Sequence, residues 1–342
     1  MLVYKYRGGD SEIFKRDLEC LENNLYYASS SLDLNDPCET ITDSEKLISQ
    51  SKSFSKYLGF KSKESLKVVD EAYRNVLSFD KKMGIYSLSQ TYIDELLWAH
   101  YGNSHKGFCI EYELDLLLES YKSDEKFSFP VTYNNKPPVI GMLDIATNKN
   151  NSIVRKMGGF KSKRWAYEQE YRILTNNFGL HAYNYQAVKS IYFGLRMDNA
   201  QKTEIMNRLK GRGIKYFQIE QIPTSYKFRV SPIKDDYGDE ITYLSQIPSK
   251  ITNTDPIKFE IIDKDYWKFN GKATINIELN SVASISELEW LAKTIRKNLF
   301  IQAERIFMFY YTKSQKDKDA AWATSHFENG EIKVKINEYV KK

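Results

Sequence analysis

The sequence predicts an α+β fold built around a mixed or antiparallel sheet. Short segments that alternate apolar and polar residues with period two recur along the chain, as strands with one buried face do. Segments with the period of an amphipathic helix lie between them. The chain has 342 residues, of which 42% are hydrophobic and 14% aromatic, so it can bury a substantial core. These observations predict a globular protein with one large and one small domain.

The predicted strands share the period-two alternation. In chain order they are Leu2–Tyr6, Leu25–Ala28, Ile85–Ser89, Phe108–Tyr112, Phe127–Tyr133, the latter half of 161–174, Val188–Phe193, Lys215–Ile219, Tyr226–Val230, Ile257–Asp263, Ala273–Leu279, Arg305–Tyr311 and Ile332–Ile336. In the strand of 161–174, Glu168 and Glu170 share one face with Arg172, because side chains two residues apart point the same way.

The predicted helices have apolar residues at helical spacing. In chain order they are about Glu12–Asn23, the segment after Thr91, Leu114–Tyr121, Ile140–Met157, Ala200–Lys210 and Ile285–Leu299. Asp10 or Ser11 is the expected N-cap of the first helix. A polar, helix-like stretch from Asp43 to Asp80, broken near Gly59, is interpreted as an insertion that packs on one side of the domain.

A connector divides the chain into two predicted domains. Residues from Ser231 to Thr254 are rich in Pro, Ser, Asp and Gly and show no clear period, which is typical of a linker. We therefore predict a larger domain over residues 1–232 and a small α+β module over residues 255–342.

The composition, together with the lack of a recognisable signal segment or membrane span, predicts a soluble, cytoplasmic protein. The net charge of +5 permits an anionic partner without requiring one. Cys20, Cys38 and Cys109 are widely separated and form no C-x-x-C pair, which argues against a disulfide framework or a zinc knuckle and fits a reducing compartment. No apolar signal segment opens the chain, and no apolar run reaches the roughly 18 residues of a membrane span.

The stretch Ile85–Glu113 contains the densest set of specific residues and is predicted to form strand, helix, turn and strand. Ser87 and Ser89 project from one face of its first strand, so two hydroxyl groups line that face. Gly102-Asn103 is expected to supply the left-handed residues that end the helix.

Three groups of residues on predicted strands suggest a pocket for a dinucleotide. Arg7 ends the first strand, Ser87 and Ser89 lie on another, and Glu168 and Glu170 lie on a third. A guanidinium group can grip phosphate or ribose oxygens, and hydroxyl groups can orient a ribose. A carboxylate can bind the ribose 2′-hydroxyl and stabilise an oxocarbenium charge, as carboxylates do in glycosyl transfer. The competing interpretation is that these strand-end side chains are simply solvated.

A second group of residues suits contacts with nucleic acid. Lys163, Arg164 and Trp165 combine basic and aromatic side chains, as single-stranded nucleic acid sites do. The alternative is that Trp165 anchors the core beside a solvated basic edge. His100, His105 and Cys109 lack a fourth ligand, so we interpret them as structural residues and predict no metal site.

Several spaced motifs resemble a bacterial family catalogued as domain of unknown function 2971. They are Y-K-Y-R at Tyr4–Arg7, L-N-D-P-C-E at Leu34–Glu39, S-L-S followed by L-W-A-H-Y-G-N-S-H-K-G-F-C-I-E-Y, and W-A-Y-E-Q-E-Y-R. The resemblance extends from about Leu2 to Val230. Cys38 departs from the family pattern, in which an aromatic residue is usual at this position. The family name implies no established chemistry.

A looser resemblance concerns mechanism. Arg7, the S-x-S strand and the E-x-E strand are similar in type and order to the Arg, Ser and Glu strands of ADP-ribosyltransferases. The resemblance implies an ADP-ribosyltransferase-like sheet core in which Arg7 contacts NAD and Ser87 or Ser89 supports the nicotinamide ribose. It also implies that Glu170 is the catalytic glutamate and that Glu168 assists attack by the acceptor. The long helical segment Asp43–Asp80 is not an expected part of that fold.

We therefore expect an NAD-dependent ADP-ribosyltransferase that modifies a macromolecule, either nucleic acid or protein, and uses no metal. Intracellular bacterial enzymes of this kind often act as toxins or in defence against phage, which implies an antitoxin or regulatory protein as partner. The alternative is a non-catalytic module that binds nucleic acid or protein through Arg164 and Trp165. A nuclease is a weaker alternative, because no carboxylate cluster stands out beyond Glu168 and Glu170.

Overall fold

A computed structural model describes residues 1–43, 45–46, 48–50, 53, 83–119, 126–141, 144, 152–234, 257–267, 269–300, 303–315 and 318–337. The predicted helical insertion of 43–80 and the predicted connector of 231–254 lie largely outside these residues. The division into domains 1–232 and 255–342 therefore stays a prediction.

Ten strands form one mixed sheet in the first part of the chain. The strands of this part are β1 Leu2–Arg7, β2 Leu25–Ser30, β3 Gly84–Ser89, β4 Phe108–Glu113, β5 Lys126–Pro130, β6 Thr132–Asn134, β7 Phe160–Ser162, β8 Glu170–Thr175, β9 Gly179–Ala182, β10 Val188–Phe193, β11 Lys215–Gln221 and β12 Phe228–Ile233. The sheet runs in the order β12, β11, β10, β4, β1, β3, β2 and β9, and β8 pairs with both β3 and β5. β10 and β11 are parallel, and β6 and β7 form a separate parallel pair. The α+β class with a mixed sheet is confirmed.

The helices of this part cover the sheet and connect its strands. They are α1 Ser11–Glu22, α2 Glu95–His100, α3 Leu114–Leu118, α4 Ser152–Gly158 and α5 Asn199–Arg208, with 3-10 helices at Ser31–Asp33, Lys163–Glu168 and Tyr185–Ala187. The carboxylate of Asp10 accepts hydrogen bonds from the first backbone N–H groups of α1, so Asp10 is the N-cap. Phe14, Leu18 and Leu21 of this helix pack in the main core of the sheet.

A second sheet of five strands occupies the C-terminal part, in the order of the chain. Its strands are β13 Phe259–Trp267, β14 Lys272–Leu279, β15 Arg305–Thr312, β16 Ala323–Glu328 and β17 Glu331–Ile336. Helix α6, Ile285–Leu299, connects the parallel strands β14 and β15 and has the predicted bounds. It buries Leu288, Leu291 and Ile295, as its sequence period predicts. A hydrogen bond of 2.7 Å from Asn24 Nδ2 to Asn298 Oδ1 links this helix to the first part of the chain.

Two predicted strands differ from those observed. The strand of 161–174 begins only at Glu170, because Gln169 has a left-handed φ of 44° and Glu168 ends a 3-10 helix. Glu168 therefore does not share a strand with Glu170, although Arg172 does. The strand predicted over 127–133 is divided into β5 and β6, and β7, β9 and β16 were not predicted.

None of the helices in the described residues has both the length and the apolar content that crossing a membrane requires.

Candidate functional site

The main sheet forks at one edge of β3, and the fork creates a cleft. β1 pairs with this strand through Tyr4 and Ser89, whereas β2 pairs with its other end through Ser29 and Ile85. β1 follows β4 along its whole length instead. Because two strands leave the same edge in different directions, the gap between them is open to side chains and ligands. Two adjoining cavities lie in this gap.

The first cavity has a volume of about 220 Å³ and a wall of paired charges. Glu39, Glu168 and Glu170 contribute carboxylates to this wall, Lys161 contributes an ammonium group, and Tyr101 contributes a phenol. Ser87 and Ser89 also line the cavity. The structure thus brings both predicted serines and both predicted glutamates into one site.

Two buried cations hold the three carboxylates together. Arg172 is fully buried and donates from Nε to Glu170 Oε1 at 2.7 Å and from Nη2 to Glu39 Oε2 at 2.7 Å. Lys161 Nζ lies 2.7 Å from Glu168 Oε2, 3.1 Å from Glu39 Oε1 and 3.3 Å from Glu170 Oε2. Three carboxylates facing two cations leave one formal negative charge in this carboxylate cluster.

The ion pairs keep Glu170 ionised at neutral pH. Burial alone would raise the pKa of this carboxyl group, but Arg172, Lys161 and the Ser87 hydroxyl lower it to about 2. Burial likewise favours the neutral form of Lys161, yet the carboxylates of Glu170, Glu39 and Glu168 hold its pKa above the usual value. Glu170 is thus suited to stabilise positive charge and unsuited to donate a proton at neutral pH.

Two tyrosines position the predicted glutamates. The hydroxyl of Tyr101 donates to Glu168 Oε1 at 2.6 Å, and the backbone N–H of Glu170 donates to the hydroxyl of Tyr133 at 2.7 Å. Burial raises the pKa of Tyr133 to about 12, so its hydroxyl stays protonated at neutral pH. These contacts fix the backbone and side chains on both sides of Gln169.

The two serines have different environments. Ser89 is 5% exposed, and its hydroxyl donates to the backbone oxygen of Glu168 at 2.7 Å while accepting from Thr91 N at 3.1 Å. Ser87 is half-buried, lines both cavities and hydrogen-bonds the carboxylate of Glu170. Ser87 is therefore the better placed of the two to meet a ligand.

Arg7 lies in the second cavity, which has a volume of about 540 Å³. Its Nη1 is 3.7 Å from Asp17 Oδ1, and its guanidinium group is 5.9 Å from the centre of the Tyr86 ring. Lys5 and Ser87 line both cavities and so separate Arg7 from the carboxylate cluster. The structure thus places the predicted arginine next to the serine and glutamate residues without bringing it into their cavity.

Several residues of the first cavity, including Tyr101, Glu168 and Glu170, lie in the sequence motifs at 97–113 and 165–172. Residues 97–173 match the family described as protein of unknown function (DUF2971). The predicted resemblance to this family is confirmed, over a shorter stretch than Leu2–Val230. No curated protein and no solved structure matches the chain.

The DUF2971 segment, residues 97–173, contributes most of the charged wall of the first cavity. It contains Tyr101, Lys161, Glu168, Glu170 and Arg172. Glu39 and the S-x-S strand precede it in the chain. Glu39, Arg172, Tyr101 and Lys5 were not predicted as site residues, although Glu39 belongs to the N-D-P-C-E motif and Lys5 to Y-K-Y-R.

A strained turn in the DUF2971 segment holds the strands that flank the cleft. Asn103, Ser104 and His105 all have left-handed φ values, of 49°, 54° and 69°, so the prediction is confirmed for Asn103, whereas it was wrong for Gly102, which does not have a positive φ. Asn103 Nδ2 donates to the backbone oxygen of Gly9 at 2.8 Å. Gly107 follows the turn, and a Cβ atom there would lie 2.0 Å from the backbone oxygen of Arg7. The motif thus fixes the end of β1 against the start of β4.

The predicted nucleic-acid residues lie on the outer side of the 3-10 helix Lys163–Glu168, also within the DUF2971 segment. Lys163 and Arg164 are exposed, and Trp165 is half-buried with its ring centre 6.2 Å from that of Tyr167. Arg164, Trp165 and His100 border a third cavity of about 510 Å³.

His100, His105 and Cys109 lie in different environments. His100 Nδ1 is 3.3 Å from the hydroxyl of Tyr167, His105 lies in the strained turn, and Cys109 is buried in β4. Within the described part of the chain, no three His, Cys, Asp or Glu side chains are arranged to hold a metal ion.

Proposed function

We propose that the cleft binds NAD and transfers its ADP-ribose group to a macromolecule, either nucleic acid or protein. One observation carries this proposal: β1, β3 and β8, which bear Arg7, Ser87 and Glu170, are neighbouring strands, and the two cavities beside them meet at Ser87. Together the cavities have the size of a small-molecule site. The second cavity is lined by Lys5, Arg7 and Arg16, which suit the phosphates of a dinucleotide.

The carboxylate cluster suits the nicotinamide end of NAD. Cleavage of the bond between C1′ of the ribose and nicotinamide sends the bonding electron pair to the pyridinium nitrogen and leaves an oxocarbenium-like ribose. The ionised carboxylate of Glu170 would stabilise this developing positive charge, and the net negative charge of the cluster supports it. Ser87 would orient both the ribose and Glu170. Nicotinamide departs, the acceptor bonds to C1′, and Glu168 assists by taking the proton that the attacking group loses.

Incubation with labelled NAD and separate pools of RNA, DNA and protein tests this proposal. The wild-type protein should label one pool, and Glu170→Gln should abolish labelling while remaining folded at the assay temperature. Glu111→Gln is the matched control, because Glu111 is buried in the same sheet and accepts from Ser190 and Tyr192, outside both cavities. Retention of full labelling by Glu170→Gln would contradict the assignment.

The proposed setting is the cytoplasm, since Cys20, Cys38 and Cys109 are free cysteines. A transferase that acts on macromolecules of its own cell requires restraint, which is consistent with the predicted antitoxin or regulatory partner. Coexpression toxicity that disappears with Glu170→Gln would support this role.

A non-catalytic nucleic-acid-binding module is the second candidate. Exposed Lys163 and Arg164 beside the Trp165–Tyr167 ring pair support it. It predicts that single-stranded nucleic acid binds with strong salt dependence and without NAD turnover. Trp165→Ala should then weaken binding about tenfold or more, because aromatic stacking contributes about 1–3 kcal/mol per base.

A further inference from the structure

Lys5 occupies the neck where the two cavities of the cleft meet. Its side chain extends from β1 into the fork, and Nζ donates to the backbone oxygen of Ser87 at 2.7 Å. The ammonium group lies 4.9 Å from the centre of the Tyr86 ring. Ser29 and Ser87 line both cavities at the same neck. A ligand that extends from one cavity into the other must pass these three side chains.

Lys5 differs from Arg7, Lys161 and Arg172 in its ionic partners. Arg7 has Asp17 as an ionic partner, and Lys161 and Arg172 are paired with the carboxylate cluster. Among the described residues, no carboxylate forms an ion pair with Lys5. Its Nζ therefore keeps donor capacity for a group that enters the neck.

The groups around Lys5 favour loss of its proton. Burial is the largest cause and the guanidinium group of Arg7 the next, and together they lower the pKa of Lys5 to about 7. The carboxylates of Glu170, Asp17 and Glu168 oppose this shift from β8, α1 and the 3-10 helix. An anion at the neck would add the missing negative charge and raise the pKa of Lys5 toward its usual value.

We propose that Lys5 Nζ, with the hydroxyls of Ser29 and Ser87, binds a phosphate group of the ligand at the neck between the cavities. Two cationic side chains from alternate residues of one strand, Lys5 and Arg7, are well suited to a diphosphate. The identification of that diphosphate as part of NAD rests on the proposed function. The binding of a phosphate group at Lys5 rests on the geometry of the neck.

Titration of Lys5 with inorganic pyrophosphate tests this site. Reductive methylation with ¹³C-formaldehyde gives each lysine an NMR signal, and the signal missing from Lys5→Arg identifies Lys5. Its titration midpoint should lie near 7 without pyrophosphate and rise by about one pH unit or more when pyrophosphate is bound. Lys189 is the control, because it pairs with Glu113 outside both cavities and should not respond. A midpoint for Lys5 that pyrophosphate leaves unchanged would overturn the proposal.

Affinity measurements on variants give an independent result. Lys5→Met should weaken pyrophosphate binding about tenfold or more, and Lys5→Arg should restore much of the loss, because a charge-assisted hydrogen bond contributes about 1.5–3 kcal/mol. Equal binding by wild type and Lys5→Met would contradict the site. The titration is carried out on the wild-type protein, and Lys5→Arg serves only to assign the signal, so a folding defect in Lys5→Met leaves the test intact. Pyrophosphate binding without NAD turnover would disprove the transferase proposal while supporting the Lys5 site.

Discussion

Arg172 Nη2 donates to Glu39 Oε2 at 2.7 Å across a sequence separation of 133 residues. The contact holds the turn at Asp36–Glu39 against β8, where the same guanidinium group also binds Glu170 through Nε. Within the turn, Asp36 Oδ1 accepts from Cys38 N at 2.9 Å, so a local hydrogen bond also stabilises the turn. One wall of the first cavity thus depends on a fully buried ion-pair network.

Removal of the Arg172 guanidinium should destabilise the protein strongly. Arg172→Met leaves Glu39 and Glu170 buried with Lys161 as their remaining cation, and unpaired buried charges of this kind cost about 3–5 kcal/mol. Urea denaturation measures the loss. Arg229→Met removes an exposed pair with Glu220 and is the matched control, for which no measurable loss is expected. Equal midpoints for the two variants would show that the buried network contributes little.

The ionisation of Glu170 should appear in the pH dependence of stability. Its pKa is about 2 in the folded protein and near the ordinary glutamate value of 4.5 in the unfolded chain, so the carboxylate contributes stability above about pH 4.5. This contribution is lost as the pH falls toward 2. The free energies of unfolding of wild type and Glu170→Gln should therefore differ by about 3 kcal/mol near neutral pH, and the difference should shrink between pH 4.5 and 2. A difference that does not change over this range would contradict the assigned pKa.

Elements with local signals were predictable from the sequence. Helix α6 has the predicted bounds because its apolar period coincides with a capping box, in which Ser284 and Glu287 bond each other's backbone N–H groups. Strand β10 also has its predicted bounds, and five of its six residues are buried. The residues that cap the start of α6 are neighbours in the chain.

The site depends on contacts that a single sequence does not reveal. Gln169 adopts a left-handed conformation that glycine favours, and the bonds of Glu168 to Lys161 and Tyr101 accompany it. No local pattern predicts that a glutamine will do this. The pairing of Glu39 with Arg172 and the fork in which Lys5 lies arise from the order of strands in the sheet, which period-two alternation does not specify.

Ser87 and Ser89 should respond differently to removal of their hydroxyls. Ser89→Ala loses a buried hydrogen bond to Glu168 O and a partly buried one from Thr91 N, and should lower the free energy of unfolding by about 1–2 kcal/mol. Ser87→Ala should change stability less, because its side chain is half-buried at the cavity wall. If the proposed function holds, Ser87→Ala should weaken NAD binding about tenfold. Thermal unfolding and isothermal titration calorimetry separate the two effects, and a larger stability loss for Ser87→Ala would reverse the assignment.

Gly107 should be intolerant of a side chain because the end of β1 lies directly against it. An added Cβ atom would be 2.0 Å from the backbone oxygen of Arg7, and no side-chain rotation relieves a contact between Cβ and backbone. Strand pairing fixes both partners, since Arg7 is registered with Phe108 and Gly194 N donates to Gly107 O at 2.9 Å. Gly107→Ala should therefore lower the free energy of unfolding by about 3 kcal/mol.

Gly213→Ala separates this steric effect from backbone strain. Gly213 has a φ of 70° and open space where its Cβ would lie, so alanine there meets only the conformational penalty of about 1 kcal/mol. Urea denaturation of both variants should give the larger loss for Gly107→Ala. Because Lys5 and Arg7 extend from the displaced strand into the neck of the cleft, Gly107→Ala should also weaken pyrophosphate binding, whereas Gly213→Ala should not. Equal losses of stability and unchanged pyrophosphate affinity would show that the contact between β1 and β4 does not position the cations of the cleft.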